Sequence, residues 1–300
     1  MNILITGGAG FIGNHLADAL LKLNHNISIV DLPTKFKKGV CYYGLDLSTD
    51  DWSNIHGDFD IIYHLAAQPY GRGSEENPFL DLEYNTKVFL KMCYFAKAKK
   101  VKKVIYTSTM AVYGNNEFAK ETDALQPLSN YAVSKLYGEF CLKKFAHECN
   151  FDYNILRLWN TYGPGQDLTN KNKGVVAALA QQVEQTDIIK VTGSLDRYRD
   201  LIHVNDVVNA LILCLQNNIN NKIFNVCSSK KITIYNIVNA LIKAKGKNPS
   251  EYTILNIGSH IGDQQGCVGD NSELQSYNWE PTITIENGFK EFLNYIKNNI

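Results

Sequence analysis

Apolar residues in this chain fall into short unbroken runs separated by stretches with helical spacing. Ile3–Ile5 is the first run, and Ile27–Val30, Ile61–Leu65, Val104–Thr107 and Tyr153–Leu158 repeat it, with Val40–Tyr43 a weaker member. Between them Asn14–Leu23, Val88–Ala98 and Ala132–His147 place apolar residues at three- and four-residue intervals. An unbroken apolar run marks a strand buried on both faces, and helices between such strands act as crossovers of a parallel sheet. The pattern predicts an α/β fold, a doubly wound parallel sheet with ligands at the carboxyl ends of its strands.

Beyond Asn160 the texture changes. Tyr162-Gly-Pro-Gly165 breaks the alternation, a polar Asn/Lys stretch runs to Lys173, and a helix is expected near Val175–Glu184. Arg199–Val204 reads as a strand, Val207–Gln216 as a helix, Ile223–Val226 as a strand, and Ile234–Ala244 and Glu286–Lys297 as helices. No internal repeat or low-complexity linker divides the chain. The expected organisation is a sheet domain over 1–160, rejoined by about 199–228, with a smaller interleaved C-terminal lobe from 161–198 and 229–300.

Bulk properties narrow the partners. The 300 residues are 45% hydrophobic, enough for a full core. Thirty basic and thirty acidic residues give zero formal charge, so no global field attracts nucleic acid or an anionic membrane. Seven cysteines with no Cys-x-x-Cys pair point to reduced thiols in a cytoplasmic protein. No apolar run approaches the roughly 18 residues of a membrane span. A strand starting at Asn2 leaves no room for a signal peptide, and no metal site is expected.

Two motifs carry chemistry. Thr6-Gly7-Gly8-Ala9-Gly10-Phe11-Ile12-Gly13 lies between the first strand and the first helix. Gly7 allows a tight turn, Gly10 lets a pyrophosphate approach the backbone, and Gly13 lets helix pack closely on strand. Phe11 and Ile12 open a helix whose unpaired N–H groups and positive dipole end favour phosphate. The sheet is therefore expected to be Rossmann-like. Asp31, closing the second strand, is placed to accept hydrogen bonds from an adenosine ribose and to repel a 2′-phosphate, which favours NAD over NADP. The second motif is Tyr131-Ala-Val-Ser-Lys135. Tyr131 and Lys135 project from one helix face, and a nearby ammonium is expected to lower the phenol from its ordinary pKa of about 10.

Together with His64-Leu-Ala-Ala67 and Ser108-Thr109-Met-Ala-Val-Tyr113-Gly114, these motifs resemble the extended short-chain dehydrogenase/reductase family, in its branch acting on nucleotide-diphosphate sugars. Arg157-Leu-Trp-Asn160-Thr-Tyr162-Gly-Pro-Gly165 and Arg197-Tyr-Arg199-Asp200-Leu-Ile-His-Val204 extend the resemblance almost end to end. It implies that Thr109, with Ser108 the alternative, bonds the reacting sugar oxygen. It also implies that Tyr131 exchanges its proton and that Lys135 tunes Tyr131 and holds the nicotinamide ribose. Asp46-Leu47 would contact adenine, and Leu65-Ala66-Ala67 would line the cofactor groove. Asn85 matches an asparagine supporting the active site, or is an ordinary helix-start cap. Asn160 and Arg199 would hold the diphosphate, a task suited to a guanidinium fork.

Dehydratases of this type place Asp-Glu directly after the threonine, and related decarboxylases keep a glutamate at the second position. Met110 and Ala111 stand here, and neither carries a proton. The expectation is a nucleotide-sugar 4-epimerase working through a transient 4-ketosugar, in surface-polysaccharide synthesis. A 4-dehydrogenase or ketosugar reductase is the alternative, and a non-catalytic NAD-binding relative the remote one. The C-terminal Gly262-Asp263 pair resembles a substrate clamp, but His260 stands where an arginine is usual, leaving UDP, GDP, dTDP and CDP open. Arg72, in Gln68-Pro-Tyr-Gly-Arg72-Gly-Ser74, is either a substrate contact or a solvated loop residue. Relatives commonly pair two helices per subunit, so Val88–Ala98 and Ala132–His147 suggest a homodimer or higher homo-oligomer.

Overall fold

The computed structural model describes residues 1–33, 38–69, 71–169, 173–258 and 265–299, with the backbone alone for 71 and 72. Its main sheet comprises β1 (Asn2–Thr6), β2 (Asn26–Asp31), β3 (Cys41–Gly44), β4 (Ile61–His64), β5 (Lys103–Thr109), β6 (Asp152–Leu158) and β7 (Lys222–Val226). The spatial order is β7-β6-β5-β4-β1-β2-β3. The first six strands pair in parallel, with Ile3 registered on both Ile27 and Ile61. Ile3, Leu4 and Ile5 are fully buried, as a strand covered on both faces requires.

Three helices matter for the site. Helix α1 (Phe11–Lys22) buries Gly13, Leu16, Ala17 and Leu20, one stripe at helical spacing. Helix α2 (Val88–Ala98) spans the residues expected. Helix α3 (Asn130–Cys149) starts at a Ser129 cap and ends where Asn150 takes a left-handed conformation, φ 55°. Helical structure also begins well before α2, at Gly71–Glu76 and Pro78–Asp81. A π-helical turn over Leu82–Lys87 then joins it to α2. Periodicity did not mark this segment, because Phe79, Leu80 and Leu82 are exposed there while Asp81 and Asn85 are buried.

The chain forms two compact units. One comprises Met1–Gly114, Ala124–Leu158 and Val208–Phe224; the other comprises Asn115–Asp123, Trp159–Val207 and Asn225–Ile300. The second unit has its own core, built from Val176, Leu179, Val183, Ile237, Leu241, Phe289 and their neighbours. Ile188–Val191 pairs there with Thr253–Asn256. The strand expected over Arg199–Val204 is split. Tyr198–Arg199 pairs antiparallel with Ile232–Thr233, and Leu201–His203 pairs in parallel with Asn160–Tyr162. Buried Asp200 makes the break, because its carboxylate needs donors and takes them from the Ser228, Ser229 and Gly269 amides and the Ser228 hydroxyl.

All seven cysteines are free. Among the described residues, no helix is long and apolar enough to cross a membrane and no cluster of His, Cys, Asp and Glu is placed to hold a metal.

Candidate active site

The glycine turn is built by close packing. Gly7 has φ +72° and donates its amide to the Val30 carbonyl at 2.9 Å. A Cβ on Gly7 would lie 2.6 Å from the Ala66 amide nitrogen, and one on Gly13 2.3 Å from the Gly7 carbonyl oxygen. Neither position admits a side chain, since the obstructing atoms are backbone. Gly10 precedes α1, and no acidic residue stands in the first turn with Phe11 and Ile12, so the amide end of the helix is open to an anion.

Asp31 closes the cradle from β2. One carboxylate oxygen accepts the Ala9 amide and the other the Leu32 amide, both at 2.8 Å. Burial raises its pKa, against the pull of these backbone donors. The cradle therefore fits a dinucleotide: backbone donors for phosphate, with an acidic group at the strand end beside them.

Asp46 receives the Ser48 amide and hydroxyl on one oxygen and the Tyr84 hydroxyl on the other, at 2.8–3.0 Å. Burial works to raise its pKa, but the Ser48 and Tyr84 bonds prevail and hold it below the usual value. The Leu47 carbonyl accepts from Trp52 Nε1 and Lys91 Nζ, so α2 pins this loop. Leu65, Ala66 and Ala67 follow β4 half-buried, with the Leu65 amide on the Thr6 carbonyl. Asn85 is not a helix-start cap. That role belongs to Asn77, whose side chain accepts the Leu80 amide. Asn85 lies inside the helical run and holds both the N–H and the C=O of Gln68, at 2.8 and 3.1 Å.

The reaction centre forms where β5 meets α3. Thr109, the last residue of β5, accepts the Ala111 amide and caps the turn Met110–Tyr113; its hydroxyl also acts to lower the pKa of Tyr131. The start of α3 is held by Ser129 accepting the Ala132 amide, Ser74 accepting the Tyr131 amide and Glu75 accepting the Asn130 amide. Lys135 is buried, with Nζ 4.5 Å from the centre of the Tyr106 ring. Beneath it, Ser108 donates to Glu139 at 2.6 Å. Arg157 meets the same carboxylate through a two-pronged fork at 2.9 and 2.7 Å and also donates to Tyr113. The Ser108 hydroxyl is thereby turned to Glu139.

The electrostatics correct one expectation. Lys135 does not depress Tyr131 here. Burial drives the phenol up to about 12, against the Thr109 hydrogen bond, and Asp81 adds to the rise. Burial likewise lowers Lys135 to about 7, opposed by Glu139 and Asp81. Desolvation outweighs the local pair on both residues. His64, bonded to Thr6 at 2.8 Å, is pushed down to about 3 by burial and then by Lys135, so it is neutral.

Asn160 and Arg199 belong to the second unit, where Asn160 donates to the Asp200 carbonyl and Arg199 to the Tyr198 carbonyl. His260, Gly262 and Asp263, and the side chain of Arg72, lie outside the described residues.

A doubly wound sheet with a glycine turn at its first crossover and a Thr–Tyr–Lys group at the end of β5 defines a dinucleotide-dependent enzyme fold. The chain belongs to the NAD dependent epimerase/dehydratase family, whose model matches residues 3–227, and its cofactor is accordingly NAD. It is 29% identical over 314 residues to a putative UDP-glucose 4-epimerase of Methanocaldococcus jannaschii, covering 99% of each chain. Among solved structures, a Thermotoga maritima UDP-glucose 4-epimerase with UDP-glucose superposes with a TM-score of 0.91 at 28% identity, over 100% of this chain and 99% of that one. The Thermus thermophilus UDP-glucose 4-epimerase complexed with NAD gives 0.90 at 29%, over 100% of both.

Proposed function

We propose that this enzyme is a nucleotide-sugar 4-epimerase acting through a transient 4-ketosugar, with UDP-sugars as the first substrates to test. One observation carries the reading. Thr109, at the end of β5, acts on the Tyr131 phenol, and the two positions directly after it are Met110 and Ala111. Such a centre would move a proton on and off a sugar hydroxyl, and carries no acid at those two positions to eliminate water or assist decarboxylation.

Gly7, Gly10, Phe11, Ile12, Gly13 and Asp31 would hold NAD at pyrophosphate and ribose. Asp46 and Leu47 would face adenine, and Leu65, Ala66, Ala67, Asn85 and Ser108 would shape or brace the groove. Bound NAD supplies a hydride acceptor and donor at the sugar's C4. Tyr131 takes the proton of the C4 hydroxyl as the ketone forms and returns it when the alcohol is restored on the other face. Thr109 would orient the reacting oxygen, and Lys135 would hold the nicotinamide ribose. Asn160, Arg199, Arg72 and Asp263 are the proposed contacts to the nucleotide sugar. We assign the enzyme to the cytoplasm and to surface-polysaccharide synthesis. We assign it also to a homodimer through α2 and α3, where Tyr94, Val133 and Phe140 are exposed.

The test incubates pure protein with NAD and a panel of UDP-, GDP-, dTDP- and CDP-sugars, following the NADH absorbance band and the proton NMR spectrum of the sugar together. A new C4 epimer without accumulating NADH is expected. NADH rising in step with a ketosugar, and no epimer, would replace the epimerase with a dehydrogenase.

A further inference from the structure

The aromatic ring beneath Lys135 has no part yet in the chemistry. Tyr106 lies in the middle of β5 and is 1% exposed. Its ring meets Phe89 of α2 edge-on, with centres 4.5 Å apart, and His64 of β4 at 5.9 Å. Those neighbours hold its plane, and two further contacts run to α3. Lys135 Nζ stands over the ring, 4.5 Å from its centre, and the Tyr106 hydroxyl donates to the Lys135 carbonyl at 3.3 Å. One phenol therefore touches both the charged tip and the backbone of the same residue.

Helix α3 is shaped to receive it. Gly138, the next turn along from Lys135, is buried, and a Cβ there would lie 2.6 Å from the Tyr106 hydroxyl oxygen and 2.8 Å from its Cζ. Glycine inside a helix costs up to about 1 kcal/mol relative to alanine, and here it leaves the space the ring fills.

Charge points the same way, because a buried ammonium needs a compensating partner. Among the described residues no carboxylate forms an ion pair with Lys135: Glu139, one turn along α3, gives both oxygens to Arg157 of β6. Glu139, and after it Asp81 of Pro78–Asp81, act on Lys135 through space. Tyr131 on the same helix and neutral His64 on β4 are the other titratable groups around it. The negative face of an aromatic ring attracts an ammonium and has no such pull on a neutral amine. Tyr106 itself stays a neutral donor, since burial holds its phenol far above the ordinary value.

We propose that Tyr106 is a positioning residue of the reaction centre: its ring face holds Lys135 as the ammonium, and its hydroxyl fixes the stretch of backbone that presents it. The proposal rests on the role given above to Lys135, and it adds a residue of β5 to the machinery that keeps that lysine charged and in place.

The experiment reads Lys135 directly, with NAD bound and no sugar present. Protein carrying 13C-labelled lysine is titrated, and the Lys135 signal is assigned by its loss in Lys135→Met. Tyr106→Phe is the reference, compared with phenylalanines bearing one and three ring fluorines at the same position, a series that drains the ring face of electron density with little change of shape. The Lys135 midpoint is expected to fall stepwise along the series, by about half to one pH unit in all. Identical midpoints would overturn the proposal, since a ring that only fills space is indifferent to its electron density. A second reading needs no substitution at Tyr106: the Lys135 ε-methylene protons of the unaltered protein, lying over the ring, are expected upfield of those of the other lysines. An ordinary position for that signal would also overturn it. Because no turnover is measured, a failure of the epimerase reading leaves these outcomes untouched and the two failures separate.

Discussion

The cofactor cradle and the reaction centre sit at carboxyl ends of strands in the same sheet, yet they are built from different materials. The cradle is backbone: Gly7 and Gly13 are required because a single Cβ would strike main-chain atoms, and what it offers a phosphate is amides that do not titrate. The centre is made of side chains whose proton affinities are displaced by burial, Tyr131 upward and Lys135 downward. A cradle of this kind fails through shape and a centre of this kind through charge. Substitutions can tell the two modes apart.

The largest separation is expected from Tyr131→Phe. Removing the phenolic oxygen should lower turnover on the order of 10²-fold or more while NAD affinity stays near wild type. Full turnover in a calibrated epimer assay would remove Tyr131 from the mechanism. Gly13→Ala is the reverse experiment. Its methyl group meets the Gly7 carbonyl oxygen, an overpacking cost of about 1–3 kcal/mol, so NAD binding should weaken roughly ten- to hundredfold by calorimetry. Unchanged affinity would mean that the turn relaxes freely. Asp31→Ala tests the boundary between the two modes, because this carboxylate both clamps the Ala9 amide and is placed for a ribose. We expect about tenfold weaker NAD binding, with discrimination against NADP relaxed. Equal losses for both cofactors would leave Asp31 as a clamp only.

The same contrast explains what could be read from the chain. Ile3–Ile5, the glycines and the α2 boundaries are local patterns, and each appears in the structure within a residue or two of its expected place. The parallel sheet followed from the alternation of strands with helices. The electrostatics of the centre did not, because burial of Lys135 depends on Tyr106 arriving from β5 and on Gly138 leaving room for it. A Cβ on Gly138 would lie 2.6 Å from the Tyr106 hydroxyl oxygen. A rule pairing Tyr131 with Lys135 one turn away sees the attraction but not the desolvation. Glu139 was within reach of sequence reading, one further turn along α3. Asp81 was not: it lies in a helix whose neighbouring apolar residues face solvent, so no periodic signal marked it as buried. Asn85 reads equally as a cap in the sequence for the same reason, since no periodic signal marks the helical run that encloses it.

The chain's route through its two units also bears on how the protein is made. The first unit draws on Met1–Gly114, Ala124–Leu158 and Val208–Phe224, so its sheet gains its last strand only when β7 has been synthesised. A growing polypeptide therefore leaves the ribosome with the glycine turn and the Tyr131 helix already present but the sheet's outer edge at β6 still open. Until β7 (Lys222–Val226) is available, that edge offers its unpaired backbone groups to any other strand.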